Sequence, residues 1–335
     1  MKAEIIEGLS FAAYKEIDAV NMSLLSAILD SPGALDHLRR NPWIPTPAAI
    51  RGGGIDCLAL ESDLFPRQYT TAPQRPEELP DHFVATPEGY TGGKKVDKLW
   101  RADQEELGNV IHKPADWNGW GLKLTTGAGT AWKEWAESQG LRILNHTDMG
   151  KVQGAAASVL AYELAAAIID ADMRQVTLVW QDVTGLWCKG RPDLYIHEVS
   201  WELHNLLHAA AAPGTQIPPA GSPFIPDLKS TGISAHPDTF SRQTFNQGWH
   251  RQLAHYCNGA EAITGRAHDF AGILAVEQDA PHRPEVFTMP LSILSQGRME
   301  VRAMLDLYKE CEDRNEWNTG TGKVQSLEFQ PWMTR

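Results

Sequence analysis

A mixed α/β fold, with a central mixed sheet flanked by helices, is what this sequence predicts, and three observations carry it. Val152, Ala155, Ala156, Val159, Leu160, Leu164, Ala167 and Ile168 repeat at helical spacing, which predicts an amphipathic helix over 151–171. Short apolar runs at 175–181, 186–196, 224–228, 272–277 and 285–289 read as strands, the first two joined by a turn around Asp182 to Gly185. Helical patterns at 245–263, marked by Phe245, Trp249, Leu253, Tyr256, Ala260 and Ile263, and at 298–312 separate or close these strands. Helix, strands, helix, strands is the order of a sheet covered by helices rather than of a bundle or a sandwich.

The remaining elements follow from local signals. Asn21 or Ser23 caps a helix over 21–29 that stops around Ser31-Pro32-Gly33, and a second short helix runs from Ala34 to Arg40 and ends at Asn41-Pro42. The stretch Ala48 to Leu64 reads as a tightly packed helix in which Gly52-Gly53-Gly54 lets another backbone come close. Each such glycine costs roughly 1 kcal/mol relative to alanine, so packing or function must justify it. Residues 66–130, rich in Pro, Gly, Trp and charge, show no sustained period and are expected to be irregular covering structure. Proline cannot donate to a ladder, so Arg191-Pro192 should make a bulge or edge. Pro213, Pro218, Pro219 and Pro223 mark a loop before the strand at 224–228.

A chain of 335 residues with 42% hydrophobic content can bury a substantial core, and we expect one elaborated domain over 1–335. The net charge of −12 argues against nonspecific adhesion to polyanions over the whole surface. Any nucleic-acid contact must then come from local cations, and Lys189, Arg191, Lys229, Arg242, His250 and Arg251 recur near one another in sequence. Cys57, Cys188, Cys257 and Cys311 form no CxxC pair, so neither a zinc module nor a disulfide framework is expected. The N-terminal Met1-Lys2-Ala3-Glu4-Ile5-Ile6-Glu7 lacks the apolar core of a signal peptide, and no run of about 18 apolar residues appears. A cytoplasmic protein without a membrane partner is the expectation.

Two segments carry chemistry. Gly190-Arg191-Pro192-Asp193 and Ile225-Pro226-Asp227-Leu228-Lys229 each place an aspartate in an apolar, strand-like context. Side chains alternate along a strand, so Asp227 and Lys229 project from one face while Leu228 points into the core. Two carboxylates and an ammonium on one sheet can hold a divalent metal and activate a water against a phosphodiester. Asp56, on the expected glycine-rich helix, is a third acid that either reaches the metal or caps a turn beside Gly54. Gln252 and Tyr256, four apart, share a helical face. Gln252 is polar among apolar neighbours, whereas Tyr256 reads equally as core or site. His250 and His255 could contact phosphate but fit surface or core better. Tryptophans 117, 120, 132 and 135 could stack on unpaired bases, although core or interface is their commoner use.

The ordered set of Asp56 on a helix, then Gly-Arg-Pro-Asp, then Asp-x-Lys, then Gln252 and Tyr256 resembles the PD-(D/E)XK nuclease superfamily, and within it the RecE-like phage and prophage exonucleases. Met22-Ser23-Leu24-Leu25 with Ser31-Pro32, the run from Gly54 to Glu61 followed by Phe65, and Gln252-Leu253-Ala254-His255-Tyr256 look like further stations of that family. The resemblance covers most of the chain and leaves 85–130 and 200–222 as insertions. It implies a PD-(D/E)XK restriction-endonuclease-like core with Asp56, Asp193, Asp227 and the Leu228 carbonyl as metal ligands. Lys229 would position or deprotonate the attacking water, with Gln252 and Tyr256 beside it. It further implies Mg2+, with Mn2+ as a substitute, and 5′→3′ digestion of linear double-stranded DNA from its ends to leave 3′ single strands for recombination. A ring-shaped homo-oligomer and a single-strand annealing protein are the implied partners. A single-strand or endonucleolytic enzyme, or an inactive DNA-end-binding module, are the competing readings. The family commonly has histidine or glutamate where Asp56 stands. Some relatives carry a glutamate in the strand before Asp193, where this chain has Gln175 or Gln181, and neither glutamine is assigned to the metal.

Overall fold

The computed structural model describes residues 1–41, 43–170 and 173–320. Pro42 and Ala171, which bounded two of the expected helices, lie outside the described residues. An N-terminal strand β1 (Glu4–Ile6) precedes a helix Met22–Ser26 capped by the Asn21 side chain and a helix Pro32–Arg40 capped by Ser31. Helix α1 (Pro47–Leu60) carries Asp56. Its glycines are there for close approach: a Cβ on Gly53 would lie 2.9 Å from the Tyr69 hydroxyl, and one on Gly54 would lie 3.2 Å from Val152.

The helix expected over 151–171 is two helices, α2 (His146–Ala161) and α3 (Glu163–Asp170), which meet at 87°. Tyr162 between them adopts extended backbone. The bend turns Val152, Ala155 and Val159 of α2 and Leu164, Ile168 and Ile169 of α3 into the same core. A periodicity count cannot see it, because both halves keep their own apolar stripe. Among the described residues no single helix is long and apolar enough to cross a membrane.

Next come β2 (Met173–Arg174), β3 (Thr177–Gln181), β4 (Trp187–Gly190) and β5 (Leu194–Tyr195). β3 lies between β1 and β4, antiparallel to both. The Arg191-Pro192 step interrupts this sheet as expected, and β5 pairs with β2 instead. Strand β6 (Ile225–Thr231) follows, then helices α4 (Pro237–Asn246) and α5 (Trp249–Thr264), separated at Gly248, whose φ is +69°. Strand β7 (Ala271–Glu277) lies parallel to β6 and antiparallel to β8 (Pro284–Thr288), and α6 (Leu291–Arg314) closes the described chain. Reciprocal backbone hydrogen bonds of 2.9 Å between Ile196 and Phe224 dock the end of β5 against the start of β6.

Alternation along β6 divides the interior. Phe224 and Leu228 enter a core shared with α1, α2 and α3, while Ile225 enters a second core shared with α5 and α6. Asp227 and Lys229 therefore leave the strand on the α5 side. One expectation needs correction. Residues 66–130 are not irregular: they hold helix Lys95–Glu106, the first turn of helix Gly127–Ser138 and several short strands, and their Leu79, Phe83, Leu122 and Ala128 pack with Trp132 and Ala136 into a core of their own. Their strands are only two or three residues long, too short to show a period. Residues 200–222 contain a helix, Trp201–Ala210, capped by Ser200.

Candidate active site

Strand β6 presents Asp227 and Lys229 as the alternation requires, and the Lys229 ammonium pairs directly with Asp227 Oδ2. Asp227 is 1% exposed, so the pair forms inside the protein, not at its surface. Just before β5, Asp193 reaches across: its Oδ2 accepts the Leu228 N–H at 2.9 Å, and its own N–H points at Asp227 Oδ1 at 3.4 Å. The amide and carbonyl of one strand residue point the same way. The Leu228 carbonyl thus faces the Asp193 side of β6, away from β7. Residues 34 apart in sequence are in contact because the proline-rich segment and its helix are looped out between two adjoining strands.

Asp56 completes the acidic group from α1. Its Oδ1 is buried without a hydrogen-bond partner, a costly state for a carboxylate. Burial, opposed by Lys229 and reinforced by Asp227, pushes the Asp56 carboxyl up to about 7. Asp193 is raised well above the ordinary carboxylate range by burial and then by Asp227 and Asp56. Burial works against the Lys229 ammonium, but Asp227 and Asp193 more than offset it and hold the lysine above its usual value. Three carboxyl groups, that of Asp227 buried and those of Asp56 and Asp193 half-buried, thus lie near one ammonium.

The donor chemistry fits a hard divalent cation, which prefers carboxylate and carbonyl oxygens, and the unpartnered Asp56 oxygen is an acceptor awaiting a partner. The expected convergence around one cation is nevertheless not realised as the side chains stand. Among the described residues no three Asp, Glu, His or Cys side chains form a ready coordination group. At Asp227 the Lys229 ammonium supplies positive charge to the acidic group.

Gln252 Nε2 donates to the Tyr256 hydroxyl at 2.7 Å on α5. Tyr256 is core and close to the site at once: its ring fills the space a Gly190 side chain would take, and burial together with Asp227 pushes its hydroxyl well up. Trp249, on the same helix, lies 6.0 Å from the Lys229 ammonium. Gln175, which the sequence reading set aside, contacts the site: its Nε2 donates to Asp193 Oδ1 at 2.9 Å and its Oε1 accepts from Arg191 Nε at 3.0 Å.

The basic cluster read along the sequence is mostly structural. Lys189 is buried and donates to the carbonyls of Tyr14, Lys15 and Ile17 at 2.6–3.1 Å. Arg191 is tied to the Leu9 carbonyl at 2.7 Å, and His250 and Arg251 both bind Glu300. Arg242 remains exposed on α4. Of the tryptophans, Trp132 is buried, Trp117 donates to His112 and Trp135 packs on the third core, while Trp120 is 79% exposed. All four cysteines are buried and unpaired.

His255 is fully buried on Trp180 and points Nε2 at the Lys189 carbonyl, leaving Nδ1 without a partner. Burial, countered by that carbonyl, pushes it down to about 4. A histidine so depressed stabilises the fold fully above about pH 6.5, and this contribution disappears as pH falls through 4, costing up to about 3 kcal/mol. Urea unfolding at pH 7, 5 and 4 should show the wild type losing stability relative to His255→Gln as the pH falls, whatever trend the raised carboxyl groups set in both. Equal slopes would rule the histidine out as the cause of that loss.

Residues 221–330 match the model of a PDDEXK-like domain of unknown function, DUF3799. That span holds Asp227, Leu228, Lys229, Gln252 and Tyr256, and leaves Asp56 and Asp193 outside it. A solved structure from Eubacterium rectale, described as a "putative exonuclease", is similar at 15% identity and a TM-score of 0.36, over 61% of this chain and 72% of that one. Comparison with curated proteins gives no match. The mixed sheet of β6, β7 and β8 is flanked by helices, and its Asp-x-Lys strand lies inside the span that matches the PDDEXK-like domain model.

Proposed function

We propose that this chain is a divalent-metal-dependent phosphodiesterase that digests linear double-stranded DNA from its ends. The observation that carries this reading is the contact of Asp193, Asp227 and Lys229 on two adjoining strands, with the unpartnered Asp56 oxygen in the same acidic group. In this reading Asp56, Asp193, Asp227 and the Leu228 carbonyl hold Mg2+ or Mn2+. The bound ion offsets phosphate charge and makes an attacking water more acidic. Lys229 stands one strand repeat from Asp227, where its ammonium can orient that water and stabilise charge gathering on the phosphate oxygens. On the α5 side Trp249 lies beside the lysine, and Tyr256, held by Gln252, lies near Asp227 and Asp193. The choice of double-stranded DNA ends, the 5′→3′ direction, the 3′ single-stranded product, a ring of identical subunits and an annealing partner rest on the resemblance to RecE-like exonucleases alone.

Incubation of end-labelled linear duplex, closed circular plasmid and single-stranded circle with Mg2+ tests the reading. An exonuclease consumes the linear duplex and leaves both circles intact. Cleavage of closed circles would make it an endonuclease, and loss of only the single-stranded substrate a single-strand-specific enzyme. Retention of labelled ends in a gel shift without any digestion would make it an end-binding module.

A further inference from the structure

We propose that Gln175 is a positioning residue for Asp193: its carboxamide, anchored by Arg191, sets the direction in which the Asp193 carboxylate faces a divalent cation. The inference rests on the metal-dependent reading above and assigns a role to a residue outside the expected ligand set. Gln175 grips Asp193 twice, through its own N–H to the Asp193 carbonyl at 2.8 Å and through Nε2 to Oδ1 at 2.9 Å. Its backbone is left-handed, with φ of +51°. That conformation is uncommon for a residue with a side chain and persists where surrounding contacts over-determine it.

The orientation of the amide is forced. A guanidinium only donates, so the atom facing Arg191 Nε at 3.0 Å must be the Gln175 oxygen, and the NH2 group must then face Asp193. Arg191 is itself fixed by the Leu9 carbonyl at 2.7 Å. The resulting line runs Leu9, Arg191, Gln175, Asp193, Leu228. It has a chemical point. An arginine set directly on Asp193 would take both carboxylate oxygens in a bidentate pair. Passing its grip through a neutral amide orients the carboxylate while using one lone pair of Oδ1, and the Leu228 N–H uses one of Oδ2. Each oxygen keeps a lone pair for a metal. Glutamate at 175 could accept from Arg191 but could not donate to Asp193.

Calorimetric titration of Mn2+ alone into the full chain, alongside the melting temperature of the metal-free chain, tests this. Loss of a residue that orients a metal ligand typically weakens the metal by about 10- to 100-fold. Gln175→Ala and Gln175→Glu should both show that loss, with the metal-free melting temperature of Gln175→Glu lowered because its carboxylate faces Asp193 Oδ1. Unchanged Mn2+ affinity in the folded variants would overturn the inference and leave Gln175 a structural residue. Tighter binding in Gln175→Glu would also overturn it, by showing that the position supplies a ligand instead of orienting one. If Gln175→Ala fails to fold, Gln175→Glu carries the test, since it keeps the Arg191 contact. A wild type that cuts DNA while both variants keep its Mn2+ affinity defeats this inference alone. A wild type that neither binds Mn2+ nor cuts DNA defeats the proposed function with it.

Discussion

Asp227→Asn should abolish both Mn2+ binding and DNA cleavage, whereas Lys229→Ala should abolish cleavage alone. The two side chains form one ion pair, Asp227 buried and Lys229 half-buried, so a purely structural site would respond alike to either change. The proposed roles separate them. Asp227 is a ligand, and its loss removes the cation with everything that depends on it. Lys229 acts on the water and the phosphate, and removing a positioned group of that kind costs about 10²–10⁴-fold in rate. Removing the ammonium also frees Asp227 Oδ2, so Mn2+ should bind Lys229→Ala at least as tightly as wild type. Circular dichroism of each variant controls for folding. Cleavage surviving within tenfold in Lys229→Ala would remove the lysine from the chemistry.

Asp56→Asn should trade activity for stability. The Asp56 carboxyl titrates near 3.9 in an unfolded chain and near 7 in the folded one, because burial and Asp227 outweigh the attraction of Lys229. A carboxyl group raised in this way stabilises the fold fully below about pH 4, and that contribution is lost as pH rises through about 7. The metal-free protein should therefore melt at a higher temperature at pH 5 than at pH 8. Asparagine carries no charge to bury, so Asp56→Asn should flatten that difference and raise the metal-free melting temperature at pH 8 by on the order of 5 °C. Mn2+ should raise the wild-type melting temperature and do so less in the variant. Thermal melts at the two pH values, with chelator and with Mn2+, read all of this. A variant that melts lower than wild type without metal would show Asp56 to be a stabilising cap after all.

Parts of this arrangement are legible in the residues, and parts depend on contacts that no local pattern reports. Alternation places Asp227 and Lys229 on one face of β6 and Leu228 in the core, because a strand has only two faces to choose from. The break at Arg191-Pro192 follows as directly from the missing proline amide. By contrast, Gln175 meets Asp193 across 18 residues and through a left-handed backbone, neither of which its neighbours in sequence announce. Lys189, His250 and Arg251 look like a phosphate-binding cluster along the chain, yet they are spent on backbone carbonyls and on Glu300. Charge read without burial cannot tell these uses apart. The 87° bend between α2 and α3 escapes notice for a related reason, since the core it packs against is assembled from distant segments.

The central claim is that Asp56, Asp193 and Asp227 hold a cation that competes with Lys229 for Asp227. Anomalous scattering from a crystal soaked in Mn2+ tests it most directly. The account predicts one or more anomalous peaks within coordination distance of Asp193 and Asp227, with the lysine ammonium moved off Asp227 Oδ2 but still on the same side of β6. Anomalous density only elsewhere, or a Lys229 ammonium still seated on Asp227 at saturating Mn2+, would contradict it.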